Sequence, residues 1–314
     1  MQFGINQYEK VLIGGIDQWI LIRGKDISNP ILLFLHGGPG FAAIPFANGF
    51  DPRIEDIFTV VYWDQRGAGN SYSENISKET MTIEQFQLDA IELIELLKSR
   101  FHQEKIYLIG HSWGALLGIN IVYLFPDHFY AYIGIGQVVE YSESRKIAHN
   151  FVLEHAKKVN DEKALIELMS IGNPPYIHPE DFGVTYQYIV TYGGAIYHAD
   201  NFSKLGEIAA LSEEYTVKEL SQIDQGVSFS NRNLYDEYIK VNLFQDIQEV
   251  NVPVFFCSGK MDYLVSFEVA YQYFNLIRAP YKEFIWFDNS AHFPFLEEPE
   301  KFYEVLCSIK ENIK

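Results

Sequence analysis

Apolar residues along the chain gather into short runs separated by amphipathic stretches. Runs at Lys10–Gly14, Gln18–Ile22, Ile31–Leu35, Phe58–Trp63, Lys105–Gly110, Ala131–Ile135, Val252–Ser258 and Glu283–Phe287 predict eight strands. The later runs are almost continuously apolar, as expected of parallel strands covered by helices on both faces. Between several of them the period becomes helical. Thr82 is placed to cap one helix, with Gln85 answering three residues on. Ile83, Phe86, Ala90, Ile94 and Leu97 then fall on one face. Ala115 to Phe125 reads as a mainly apolar helix closed by Pro126. Strands alternating with helices predict an α/β fold with a mostly parallel eight-stranded sheet flanked by helices.

The alternation breaks between about Gln137 and Gln245. Ser142–Val159 and Glu162–Ser170 are helical in pattern, Gly172-Asn173-Pro174-Pro175 is a breaker, and no convincing strand appears. We therefore expect a first part of the core at 1–136, a helical lid at 137–245, and a second part of the core at 246–314. The lid is rich in aromatic residues: Tyr176, Phe182, Tyr186, Tyr188, Tyr192, Tyr197 and Phe202. They either form its own core or line a pocket beneath it.

Composition narrows the function. With 314 residues, 48% of them hydrophobic, the chain can bury a sizeable core. A net charge of −18 argues against a nucleic-acid partner, because phosphate binding needs a concentrated basic surface. No apolar run reaches the roughly 20 residues that span a bilayer, so no membrane partner is expected. The opening Met1-Gln2-Phe3-Gly4-Ile5-Asn6 shows no basic region followed by an apolar one, which makes the cytoplasm the expected location. Cys257 and Cys307 make neither a disulfide framework nor a metal quartet, and the nine histidines show no ligand spacing. Neither a metal nor any other cofactor is expected.

The chemistry lies in four short segments. Gly110-His111-Ser112-Trp113-Gly114 matches Gly-x-Ser-x-Gly between a predicted strand and a predicted helix. This is the turn that lifts a serine out of the backbone as a nucleophile. A serine hydroxyl needs a base, and His292 follows the last predicted strand, where a loop can carry it back over the sheet. The imidazole needs an acid on its other nitrogen, and Asp262 follows the seventh strand. Asp288 competes for that role but lies close to His292 in sequence. His111 reads as a packing or hydrogen-bonding residue, since adjacent side chains on a tight turn diverge. Donors for an oxyanion are expected from the Trp113 N–H and from His36-Gly37-Gly38-Pro39-Gly40, with Gly38 preferred.

The order Ser112, Asp262, His292 is that of α/β-hydrolases, and the chain resembles, within that superfamily, the prolyl aminopeptidase (proline iminopeptidase) family. His36-Gly37-Gly38-Pro39-Gly40 is similar to that family's oxyanion loop, and Asp64-Gln65-Arg66-Gly67-Ala68-Gly69-Asn70-Ser71 is similar to its segment after the fourth strand. In this segment Asp64 and Arg66 read as structural. The resemblance covers about residues 30–135 and 250–300. It implies an α/β-hydrolase fold with an inserted lid and an aminopeptidase acting on small peptides or amino-acid amides. It also implies lid carboxylates for the substrate's α-amino group. Here the family's Trp-Glu pair is missing, since all four tryptophans lie outside the lid, and Glu213-Glu214 is the substitute. His111 also departs from the family's usual glycine at the elbow. A carboxylesterase or other small-molecule acyl hydrolase is the alternative, and a non-catalytic binding protein on the same fold is a third. Aspartate-nucleophile chemistry is disfavoured because Ser112 occupies that place.

Overall fold

The computed structural model describes residues 4–176 and 179–313. Eight strands form one sheet: β1 (Ile5–Ile13), β2 (Ile16–Gly24), β3 (Ile31–Leu35), β4 (Thr59–Asp64), β5 (Ile106–His111), β6 (Phe129–Ile135), β7 (Val254–Gly259) and β8 (Lys282–Phe287). Their spatial order is β1-β2-β4-β3-β5-β6-β7-β8. β2 pairs antiparallel with both β1 and β4, and every other pairing is parallel. All eight predicted strands are present. The main difference is β1, which starts five residues before the predicted run. As the edge strand of a hairpin it pairs polar Asn6, Gln7 and Glu9 along with its apolar residues, so an apolar run marks only its last part. β7 starts two residues late because Pro253 has no N–H for the ladder.

The helices that position the site are α1 (Ile54–Ile57), α2 (Ile83–Phe101) and α3 (Trp113–Leu124), with α11 (Phe267–Leu276), α12 (Pro294–Glu297) and α13 (Pro299–Asn312) following β7. Thr82 Oγ1 accepts the Gln85 N–H at 3.2 Å to cap α2, and His102 ends it in the left-handed region at φ 54°. Phe86, Ala90, Ile94 and Leu97 are buried on one face of α2, as the helical spacing predicts. One apolar layer packs α2 and α3 on one face of the sheet through Leu33, Leu35, Trp63 and Leu117. The opposite layer sets Phe34, Ile109 and Phe255 against Phe302 and Leu306 of α13.

Between β6 and β7 lie α4 (Tyr141–Val159), α5 (Glu162–Ile171), α6 (Pro179–Thr191), α7 (Ser203–Ala209), α8 (Val217–Leu220), α9 (Ile223–Tyr238) and α10 (Leu243–Asp246). α5 ends before Gly172, as the breaker there predicts. This segment has a core of its own, in which Phe151, Val152, Leu168, Tyr188 and Ile189 pack together with Leu264 from the loop after β7. No helix among the described residues is long and apolar enough to cross a membrane.

Candidate active site

Ser112 sits between β5 and α3 with φ 55° and ψ −114°, a strained conformation for a residue with a side chain. Close backbone approach holds it there. A Cβ on Gly110 would stand 2.2 Å from the Gly114 oxygen, and one on Gly114 would stand 2.1 Å from the Leu35 oxygen. The two motif glycines therefore let β5, the turn and β3 touch. The Ser112 N–H donates to the Ile135 carbonyl at 2.9 Å, and the Ser112 carbonyl accepts from Ala115 and Leu116 as α3 begins.

His292 and Asp262 come together from the loops after β8 and β7. His292 Nδ1 lies 2.8 Å from Asp262 Oδ2. A carboxylate only accepts, so Nδ1 carries a proton, and in the neutral ring Nε2 is the acceptor. Asp262 Oδ1 takes the N–H groups of Leu264 and Val265 at 3.0 and 2.9 Å, which fixes the carboxylate's orientation. The His292 N–H donates to Ala195 O, tying this loop to the helical segment. Asp288 points elsewhere: it pairs with Lys260 at 2.5 Å in a solvent-exposed position.

His111 Nε2 donates to the His292 carbonyl at 2.8 Å. Burial holds its pKa well below the usual histidine value, so the ring stays neutral and carries its proton on Nε2. His36 is also buried, and its pKa is pushed down to about 4. It donates through Nδ1 to Gly37 O at 2.8 Å and accepts the Gln65 N–H on Nε2 at 3.1 Å. Gln65 reaches onward, donating to His36 O at 3.2 Å and accepting from the Trp113 indole at 3.1 Å. One side chain thus links the Gly37-Gly38 loop to the helix after Ser112.

The rest of the Asp64–Ser71 segment is scaffolding. Asp64 Oδ1 accepts the N–H groups of Ala43 and Ile44, and its other oxygen accepts from Tyr215. Burial raises its pKa to about 6. Arg66 forms a fully buried pair with Asp89 at 2.8 Å and also donates to Gly14 O.

Ser112, His292, Gly37 and Gly38 line one cavity of about 380 Å³, within the range of small-molecule sites. Its far wall is aromatic and comes from the helical segment: Tyr141, Phe182, Tyr186, Tyr235 and Tyr238. Both readings of the aromatic residues therefore hold in part. Phe182 and Tyr186 face the cavity, while Tyr188 and Tyr192 pack in the segment's core and donate to Glu167 and Asp161 at 2.7 and 2.9 Å.

Glu213 and Glu214 correct the sequence expectation. They lie in the turn before α8, not on a helix, and neither lines this cavity. Glu214 pairs with Arg23 of β2 at 2.7 Å and accepts from Ser212 at 2.9 Å, while Glu213 borders a separate cleft beside Asn48 and Glu55. The partner of Glu214 stands 191 positions away in sequence, so no local pattern shows the pairing. Sequence reasoning also missed Arg145, Asn231, Tyr235 and Tyr238 in the cavity wall. Helical spacing carries a signal for them: Tyr141 and Arg145 are four apart on α4, and Asn231, Tyr235 and Tyr238 share a face of α9. Among the described residues, no group of three His, Cys, Asp or Glu side chains is placed to hold a metal ion.

The fold is that of an α/β-hydrolase. The α/β hydrolase fold family model matches residues 30–170. The probable aminopeptidase YbaC of Bacillus subtilis (strain 168) is 36% identical over 305 residues, covering 95% of this chain and 94% of that protein. A proline iminopeptidase of Saccharolobus solfataricus is 26% identical over 319 residues, covering 97% and 88%. The crystal structure of proline iminopeptidase from Mycobacterium smegmatis superposes with a TM-score of 0.68 at 17% identity, over 97% of this chain and 98% of that one, a likeness of fold. The chain belongs to the α/β-hydrolase family and, within it, resembles the prolyl aminopeptidases.

Proposed function

We propose that the protein is a serine hydrolase that works through an acyl-enzyme on small peptide, amide or ester substrates. The observation that carries this reading is the 2.8 Å His292–Asp262 hydrogen bond in the wall of the cavity that Ser112 also lines. Ser112 Oγ attacks the substrate carbonyl while His292 Nε2 takes its proton. Asp262 holds the histidine tautomer and stabilises the imidazolium. The Gly38 and Trp113 N–H groups receive the oxyanion, Trp113 from the first position of α3, where the helix dipole adds to the hydrogen bond. The carbon–nitrogen or carbon–oxygen bond breaks as His292 passes the proton to the leaving group. Water then attacks the acyl-enzyme by the same route, restoring Ser112. No step calls for a metal. The helices between β6 and β7 act as a lid, with the hydrolase core formed by the segments on either side of residues 137–245.

Aminopeptidase activity on short peptides or amino-acid amides is the substrate reading that the 36%-identical relative favours. A carboxylesterase-type activity is the second reading, supported by a cavity wall that, among the described residues, holds no carboxylate besides the one behind His292. The test is labelling with a fluorophosphonate probe, followed by a panel of amino-acid arylamides, their N-acetyl derivatives and short-chain aryl esters. Labelling is expected at Ser112 and absent in Ser112→Ala. An unlabelled wild-type protein would favour a binding role on a hydrolase fold. Cleavage of acetylated and free-amine amides at equal rates would remove the aminopeptidase reading and leave the esterase one.

A further inference from the structure

Among the described residues, Arg145 of α4 is the sole side chain with a fixed charge lining the cavity that Ser112 shares. It is 7% exposed. Its guanidinium lies 3.6 Å from the centre of the Phe182 ring and 4.7 Å from that of Tyr141. Among the described residues its one hydrogen bond runs from Nη1 to the Leu264 carbonyl at 3.1 Å, and its buried Nε has no partner. Asp181, beside Phe182, is near enough for its charge to act on Tyr235. It does not line the cavity and is not hydrogen-bonded to Arg145. A buried guanidinium costs several kcal/mol unless paired, and two aromatic faces with one carbonyl compensate only part of that. What fits its remaining donors is a planar two-oxygen acceptor, which a carboxylate supplies in bidentate form. A substrate ammonium in the same space would meet a like charge across apolar walls.

Resting on the serine-hydrolase reading above, we infer that the substrate carries a carboxylate at the end away from the reacting carbonyl, and that Arg145 is the residue that selects it. Asn231 and the Tyr141, Tyr235 and Tyr238 rings complete the wall around it. The carboxylate belongs either to the acyl part, as in a dicarboxylic half-ester, or to the leaving part, as in a dipeptide. Both place one anion against Arg145.

Two matched pairs test this: the para-nitrophenyl monoester of glutaric acid against para-nitrophenyl pentanoate, and alanyl-alanine against its C-terminal amide. In the wild-type protein, the carboxylate member of one pair is expected to have a kcat/KM at least about tenfold higher, the size of one charge-assisted hydrogen bond. The pair that responds locates the anion on the acyl or the leaving side. Arg145→Gln is expected to bring that ratio to about 1, with Arg145→Lys in between. Equal kcat/KM within both pairs, or a preference that survives Arg145→Gln, would overturn the inference. Should Arg145→Gln fail to fold, inhibition of the wild-type protein decides: glutarate has to compete at least about tenfold better than glutaramide, and equal inhibition sinks the idea. Fluorophosphonate labelling at Ser112 without any carboxylate preference removes this inference alone. Absence of both labelling and turnover removes the serine-hydrolase reading and this inference with it.

Discussion

At Ser112 the backbone adopts a conformation that side chains avoid, and the close approaches at Gly110 and Gly114 with the Ser112–Ile135 hydrogen bond hold it there. The acid that faces His292 is Asp262, buried and held by two N–H groups, whereas Asp288 is committed to Lys260 at the surface. Asp262→Asn is therefore expected to lower kcat by as much as about 10⁴, through loss of the histidine tautomer, while the fold persists. Asp288→Asn should leave kcat within about threefold, as expected for an exposed ion pair. A larger loss from Asp288→Asn would reassign the acid. Glu214 makes the opposite case. With its partner Arg23 mostly buried, Glu214→Gln is expected to reduce unfolding free energy by about 1–3 kcal/mol without changing substrate preference. Urea titration together with the substrate panel would check both halves, and a change in preference would return Glu214 to the binding site.

Among the elements, α2 shows how local signals and burial divide the work. Its N-cap and its buried face follow from sequence, since caps and periodicity are properties of consecutive residues. Thr82→Ala is expected to cost about 1 kcal/mol through loss of the cap. Phe86→Ala should cost about 3–5 kcal/mol, because it opens a cavity between α2 and the sheet. Denaturant midpoints for the two variants would show whether the ranking holds; equal losses would mean that Phe86 packs less tightly than its full burial indicates. α4 was legible as a helix but not as a cavity wall, and α9 was not singled out in the sequence. Their spacing shows which residues share a face, and only the docked geometry shows which of those faces turns toward Ser112.

Across the whole molecule, buried titratable groups couple stability to pH. His36 has its pKa lowered by burial to about 4, below the unfolded value of 6.5. The unfolded chain therefore binds the extra proton between those values, and stability falls as pH drops through that window. From pH 7 to pH 5 this amounts to about 2 kcal/mol. Asp64 acts in the other direction: burial lifts its pKa from 3.8 to about 6, so stability falls as pH rises through that range, by about 1 kcal/mol between pH 5 and pH 7. Unfolding free energies of the wild type and His36→Gln at the two pH values test the first term. The difference between pH 7 and pH 5 is expected to shrink by about 2 kcal/mol in the variant. An unchanged difference would mean that His36 is not buried as a neutral ring.

The sequence alone made legible the eight strands, the helices α2, α3, α4 and α5, the elbow around Ser112 and the family resemblance, because periodicity, caps and short glycine motifs are encoded by neighbouring residues. It also singled out Asp262 and His292, since each follows a strand whose parallel run was legible, and the fold sets them 2.8 Å apart. The charge of the cavity wall, by contrast, follows from packing between distant segments. Glu213 and Glu214, acidic and inside the helical segment, had the right chemistry, yet Arg23, 191 positions away, claims Glu214. Arg145 gave no sign of special use until Phe182 and Tyr141 closed around it without supplying a carboxylate. Burial and pairing are set by segments far apart along the chain, and no local pattern records which of them meet.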